Sequence, residues 1–132
     1  MSLVLSVDHE YKTTIEKAWT YLTDPSKLSK WILENDFKAV EGHRFQFRAE
    51  PNQYWDGVIN GEVLLVDEPN KLSYTWAVGE EKHTVIWTLQ DLGNGKVNLH
   101  LEQTGFSNVQ GLEGARYGWG NWTTELEKLL AQ

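Results

Sequence analysis

The chain has 132 residues, a net charge of -7 and no cysteine. Its length suits a single domain over residues 1–132, large enough to bury a core without staples. The missing cysteines exclude disulfides, thiolate metal sites and a cysteine nucleophile. The acidic balance argues against nucleic acid, whose phosphates call for clustered Lys and Arg.

The chain opens with MSLVLSVDHEYK, a strand-like and acidic stretch rather than a signal peptide, and no apolar run reaches membrane-spanning length. These features lead us to expect a soluble, cytoplasmic protein without a membrane partner. The first strand is predicted over residues 3–11, with Leu3, Leu5, Val7 and Tyr11 in phase. Thr13 and Glu16 have capping-box spacing, which predicts a short helix carrying Ala18, Trp19 and Leu22 on its apolar side. Asp24-Pro25 pairs an N-cap acceptor with a proline at the first helical position. A second short helix should follow through Leu28, Trp31 and Ile32.

Strands then dominate. Residues 37–40 form a short one, Gly42 turns the chain, and residues 43–50 place Phe45 and Phe47 on one face. A long strand is predicted over residues 54–66, with Gly57 and Gly61 marking bends or bulges. The stretch GEVLLVDEPNKLSYTW, residues 61–76, holds two apolar runs around Asp67-Glu68-Pro69-Asn70, a tight reversal. After it, Leu72, Tyr74, Trp76 and Val78 alternate with Ser73, Thr75 and Ala77. A charged turn at residues 79–82 leads to a strand over 84–90 with Val85, Trp87 and Leu89 in phase. Residues 91–95 turn again into a strand over 96–104 with Val97, Leu99 and Leu101 in phase. Short turns between consecutive strands imply an antiparallel meander. Finally, Ala115, Trp119, Trp122, Leu126 and Leu129 share one helix face. Gly118 and Gly120 interrupt that helix, which points to close packing or a loosely starting helix. The fold class is α+β: a curved antiparallel sheet gripping a long C-terminal helix, with two short helices after the first strand.

This order resembles the helix-grip fold of the START and Bet v 1-like (SRPBCC) superfamily. Glu16-Lys17-Ala18-Trp19, Leu22-Thr23-Asp24-Pro25, Leu28 and Trp31 are similar to the opening of the family named after the activator of Hsp90 ATPase. Val40-Glu41-Gly42-His43-Arg44-Phe45 resembles that family's VGGxFxF strand pair, with His43 where a second Gly is usual. The hairpin over residues 61–76, the strand Thr84-Val85-Ile86-Trp87-Thr88-Leu89, and Gly105-Phe106 with Gly118-Trp119 match later signatures. The resemblance implies a space between sheet and helix in which superfamily members bind lipids, sterols, flavonoid-like molecules or polyketides, and in which some catalyse cyclisation or dehydration. The founding co-chaperone has an additional N-terminal Hsp90-binding domain for which this chain has no room, so its activity is not carried over.

The residues carry no catalytic constellation. His9, His43, His83 and His100 lie on separate strands or strand ends without ligand spacing, so no metal is expected, and His100 should face away from the aromatic side. There is no G-x-S-x-G, and the glycines follow no phosphate-loop pattern, so neither a catalytic residue nor a cofactor is assigned. Glu80-Glu81 reads as a charged turn.

The seven Trp, five Tyr and four Phe remain. Phe45, Phe47, Tyr74, Trp76 and Trp87 share the inner phase of their strands, and Trp119 and Trp122 face them from the helix. Trp31 and Trp55 could line a mouth. Together these nine residues are the candidate ligand-binding set, because ligand sites are concave and apolar with few polar groups. Arg48, Gln103, Arg116 and Tyr117 are candidate polar contacts, and the segment 106–114, rich in Gly, is a candidate gate. The preferred expectation is a binder of a small hydrophobic or aromatic molecule. Alternatives are a cyclase- or dehydratase-type enzyme in the same space, or a chaperone-linked interaction module, for which the sequence names no protein partner.

Overall fold

The computed structural model describes residues 3–131 apart from Tyr54. The predicted strand start at Tyr54 therefore lies outside the described residues. Among the described residues, seven strands form one antiparallel sheet in the order β1-β7-β6-β5-β4-β3-β2. They are β1 (Leu3–Lys12), β2 (Glu34–Asn35), β3 (Arg44–Arg48), β4 (Val58–Asp67), β5 (Lys71–Val78), β6 (Glu81–Gly93) and β7 (Lys96–Phe106). The helices are α1 (Ile15–Thr23), α2 (Pro25–Leu28) and α3 (Val109–Leu130). From β3 onward every strand pairs with its sequence neighbour, and β1 closes the order on β7. The sheet stays unclosed.

The helix entries differ in detail from the sequence reading. Thr14, not Thr13, caps α1, its side chain accepting from the Lys17 amide at 3.1 Å. Thr13 is turned into the core instead. Asp24 caps α2 as expected, accepting from Ser26 N and Lys27 N. That helix stops at Leu28, so Trp31 and Ile32 follow it in a turn, where both are buried.

Three loop regions also shift. Residues 37–40 are not a strand. Asn35 ends β2, and its side-chain oxygen takes the Phe37 amide at 3.0 Å, diverting the chain from the sheet. Trp55 lies outside β4, in an isolated bridge with Asn52. The turn between β6 and β7 shrinks to Asn94-Gly95, both at positive φ, the conformation that two-residue hairpin loops require.

The β4–β5 hairpin forms as predicted, with Asp67 opposite Lys71 and Val63 opposite Tyr74. A register shift between Val63 and Leu65 leaves Leu64 and Leu65 both exposed. Inside β4, a Cβ at Gly61 would overlap the Phe45 ring and the Thr75 carbonyl. This glycine lets the Phe45 ring lie across its own cross-strand partner. Val78, expected on the inner face, is exposed at the strand end.

Alternation places Leu72, Tyr74 and Trp76 of β5, Val85, Trp87 and Leu89 of β6, and Val97, Leu99 and Leu101 of β7 on one buried face. α3 covers it with Leu112, Trp119, Thr123, Leu126 and Leu130. Gly118 and Gly120 do not mark close packing, since a Cβ on either would meet nothing within 4 Å beyond the helix's own adjoining backbone and neighbouring residues. The candidate gate is not a free loop either. Asn108 caps α3 by accepting from Gly111 N at 2.7 Å, so residues 109–114 are already helical.

Candidate functional site

The inner-face aromatics form a continuous chain of ring contacts. Phe45 meets Phe47 at 5.5 Å and Tyr74 at 5.4 Å between centroids. Phe47 meets Trp76 at 5.4 Å, and Trp76 meets both Trp119 at 5.4 Å and Trp122 at 6.1 Å. Trp119 stands edge-on to Trp87 at 5.5 Å and to Trp122 at 5.1 Å. Most of these pairs are steeply inclined, as the ring quadrupole favours. Seven of the nine candidate side chains thus lie together.

The other two sit differently. Trp31 is buried against Trp87 at 6.1 Å, and its indole donates to the Tyr21 carbonyl at 2.9 Å. It is part of the core wall and not a rim. Trp55 is partly buried, and its indole donates to the Val58 carbonyl at 3.3 Å. It joins none of the ring contacts described above. Phe37 was missed as a site residue. It packs on Phe45 at 4.9 Å and Tyr74 at 5.6 Å. Its place follows from the diverted loop, which no alternation pattern could signal.

The space between sheet and α3 is filled by these side chains. Phe45, Phe47, Tyr74, Trp76, Trp87 and Trp119 are all buried, and only Trp122 of the central group is partly exposed. Among the described residues, the α3 backbone comes within 8 Å of α1, β1 and β7, but not of β3, β4, β5 or β6. Over the β3–β5 half, the helix reaches the sheet through the indoles of Trp119 and Trp122. Surface clefts lie elsewhere. One is on the outer face, lined among others by Asp36, Arg44, Gln46 and Asn60. Another, where α1 meets the β4–β5 turn, is lined by Glu16, Trp19, Thr20, Glu68 and Pro69.

Of the four candidate polar contacts, only Gln103 points inward, at 2% exposure. Arg48 lies near Asp36 and Gln46, Arg116 pairs with Glu113, and Tyr117 is 75% exposed. Gln103 Oε1 accepts from the Trp119 indole at 2.7 Å, and its amide nitrogen is 2.7 Å from His83 Nδ1. His83 is buried, its ring tilted against Phe106 at 4.4 Å between centroids, with Nε2 3.3 Å from Glu81 Oε1 but not aligned for a hydrogen bond. Glu81 is therefore more than a turn residue. It begins β6 and accepts from Ser107 N at 3.0 Å, just ahead of α3. Hydrogen bonding from Ser107 first, with the nearby His83 ring aiding it, holds its carboxyl below the usual range. His83 extends the Val85-Trp87-Leu89 alternation by one step, a signal that could have found it.

A second buried pair lies deeper, where the Tyr74 hydroxyl accepts from the Trp87 indole at 3.0 Å. Burial pushes this phenol's pKa up, so it stays protonated. His100 is on the opposite face, as expected, between Asp8 and Glu102. Among the described residues, no group of three or more His, Cys, Asp or Glu side chains is placed to hold a metal ion.

The match to the family model described as Activator of Hsp90 ATPase homolog 1-like protein covers residues 12–131. The chain belongs to this family. The strand order and the long terminal helix are those of its helix-grip relatives. One is protein MLL2253 from Mesorhizobium loti, 34% identical, with a TM-score of 0.89 over 98% of this chain and 97% of that one. CalU16 from Micromonospora echinospora is 21% identical, with a TM-score of 0.82 over 98% of this chain and 76% of that one. PFC0360w, an HSP90 activator from Plasmodium falciparum, is 20% identical, with a TM-score of 0.80 over 98% and 96%. The last two share the fold. No curated protein matches the chain. Among the described residues, no helix is long and apolar enough to cross a membrane.

Proposed function

We propose that this family member binds a small hydrophobic or aromatic molecule between the β3–β5 half of the sheet and α3. One observation carries the reading. Over that half, as over β6, the α3 backbone keeps more than 8 Å from that of the sheet, and the indoles of Trp119 and Trp122 span the space to Trp76. A gap closed by side chains opens by rotamer change, whereas one closed by backbone contact needs the fold to move. Trp122 is already partly exposed and is the side chain best placed to move first. A ligand would replace indole contacts with its own, so affinity would come mainly from apolar burial, less the cost of ordering.

A flavonoid, a sterol and a fatty acid are titrated while Trp fluorescence and backbone and indole N–H shifts are followed. The expected result is saturable quenching by at least one, with shifts centred on Tyr74, Trp76, Trp119 and Trp122. A panel that leaves all four unmoved removes the basis of the reading.

A further inference from the structure

We infer that the molecule taken up beside α3 carries a hydrogen-bond donor, an O–H or N–H on an otherwise apolar body, and that Gln103 selects for it. This rests on the binding reading above and specifies its ligand class.

The argument runs through the direction of one amide. An indole nitrogen can only donate, so the Gln103 atom 2.7 Å from Trp119 Nε1 is the oxygen. The amide nitrogen, itself only a donor, then faces His83 Nδ1 at 2.7 Å. That ring nitrogen must accept, which places the His83 proton on Nε2, toward Glu81 Oε1 at 3.3 Å. The hydrogen-bonded run Trp119, Gln103, His83 has one polarity, and Glu81 lies beyond it, near His83 Nε2 without a hydrogen bond to it. Reversing the amide would set its NH2 against the Trp119 indole N–H, donor against donor. Glu81 is held in place by the Ser107 amide. The Gln103 oxygen is therefore locked toward the aromatic space.

In the closed state Trp119 satisfies that oxygen. A ligand that displaces the Trp119 indole takes its donor away, beside the rings of Trp76 and Trp87. A buried acceptor left without a donor weakens binding by about ten- to a hundredfold. A ligand with an O–H or N–H at the same point restores the bond and escapes that loss. A hydrocarbon of the same shape does not.

The test uses 2-naphthol and 2-methylnaphthalene, which differ by O–H against CH3 at one position. Binding to the full chain is measured by NMR, following the Gln103 side-chain amide and the Trp119 indole N–H. The expected result is about ten- to a hundredfold tighter binding of 2-naphthol, with both resonances shifted. In Gln103→Met the two ligands should bind within about threefold of each other. Should this variant fail to fold, the Gln103 amide shift in the unmutated chain still decides the point. Equal binding of the pair, or a 2-naphthol complex with an unmoved Gln103 amide, overturns the inference and leaves the binding reading standing. If neither ligand moves the aromatic residues while a panel ligand above does, Gln103 selection alone falls. If nothing at all binds, both fall.

Discussion

The Trp19 indole donates to Glu68 Oε1 at 2.8 Å, tying α1 to the β4–β5 turn. The partners are 49 positions apart in sequence. Glu68 belongs to the hairpin turn that most clearly marks the family, so the turn holds a helix as well as reversing the chain.

That tie sets the first prediction. Glu68→Ala should lower stability by about 1 kcal/mol, below the usual range for a bond to a charged group because Glu68 is exposed. Urea unfolding checks it. Glu68→Gln, which keeps an acceptor, should recover part of the loss. Equal stability of Glu68→Ala and the parent would show that the bond contributes nothing net.

The glycines of α3 give a prediction of opposite sign. Beyond the helix's own adjoining backbone and neighbouring residues, nothing lies within 4 Å of where a Cβ would sit at Gly118 or Gly120. Gly118→Ala and Gly120→Ala should each stabilise by about 1 kcal/mol, raising Tm by about 4 °C per substitution. If pliability of this helix segment helps admit a ligand, the double variant should also associate more slowly in stopped-flow Trp fluorescence. A fall in Tm would mean that these positions serve packing after all.

Tyr74→Phe removes the oxygen that the Trp87 indole donates to in the fully buried core. An orphaned buried donor costs about 1–3 kcal/mol, so this loss of a single oxygen should be clearly destabilising. Chemical denaturation measures it. Trp87→Phe in the Tyr74→Phe background should show coupling between the two changes, because the orphaned N–H is then gone.

The outer face sets a dependence on pH. The hydrogen bond to Asp8, aided by Glu102, raises the His100 imidazole above its ordinary value near 6.5. Its stabilisation is complete below the unfolded value and is lost as pH rises through the higher folded one. Asp8 has the reverse sign. Hydrogen bonds from Asn98 and then His100 hold its carboxyl down, so its share is lost only as pH falls through that lowered value. Urea midpoints should therefore fall between pH 5.5 and pH 8.5, and His100→Gln should flatten the decline. The change is small because Asp8 is exposed and His100 partly so. An identical decline in His100→Gln would assign it to other groups.

Much of the fold was legible because its signals are local. The Leu72-Tyr74-Trp76 and Val85-Trp87-Leu89 alternations marked the buried face, and the Asp67 to Asn70 reversal marked the hairpin. The misplaced elements were decided by side chain–backbone bonds that compete with regular structure. Thr14 caps α1 in place of Thr13, and Asn35 bends the chain away from a strand at Phe37. In the candidate site, phase alone grouped seven aromatics. It could not show that Trp31 is wall, that Phe37 joins the cluster, or that His83 is bonded to Gln103, since each depends on partners far along the chain.

By itself the sequence determined the order of elements, the aromatic character of the inner face and the family. Periodicity and turn chemistry act within a few residues and survive any uncertainty in tertiary placement. Only the tertiary structure decided that the sheet–helix space is filled, that Trp119 and Trp122 are what fills its β3–β5 half, and that Gln103 presents its oxygen there. Those outcomes depend on the distance between α3 and the sheet and on the register pairing β6 with β7. Such distances emerge when all the side-chain volumes are packed at once.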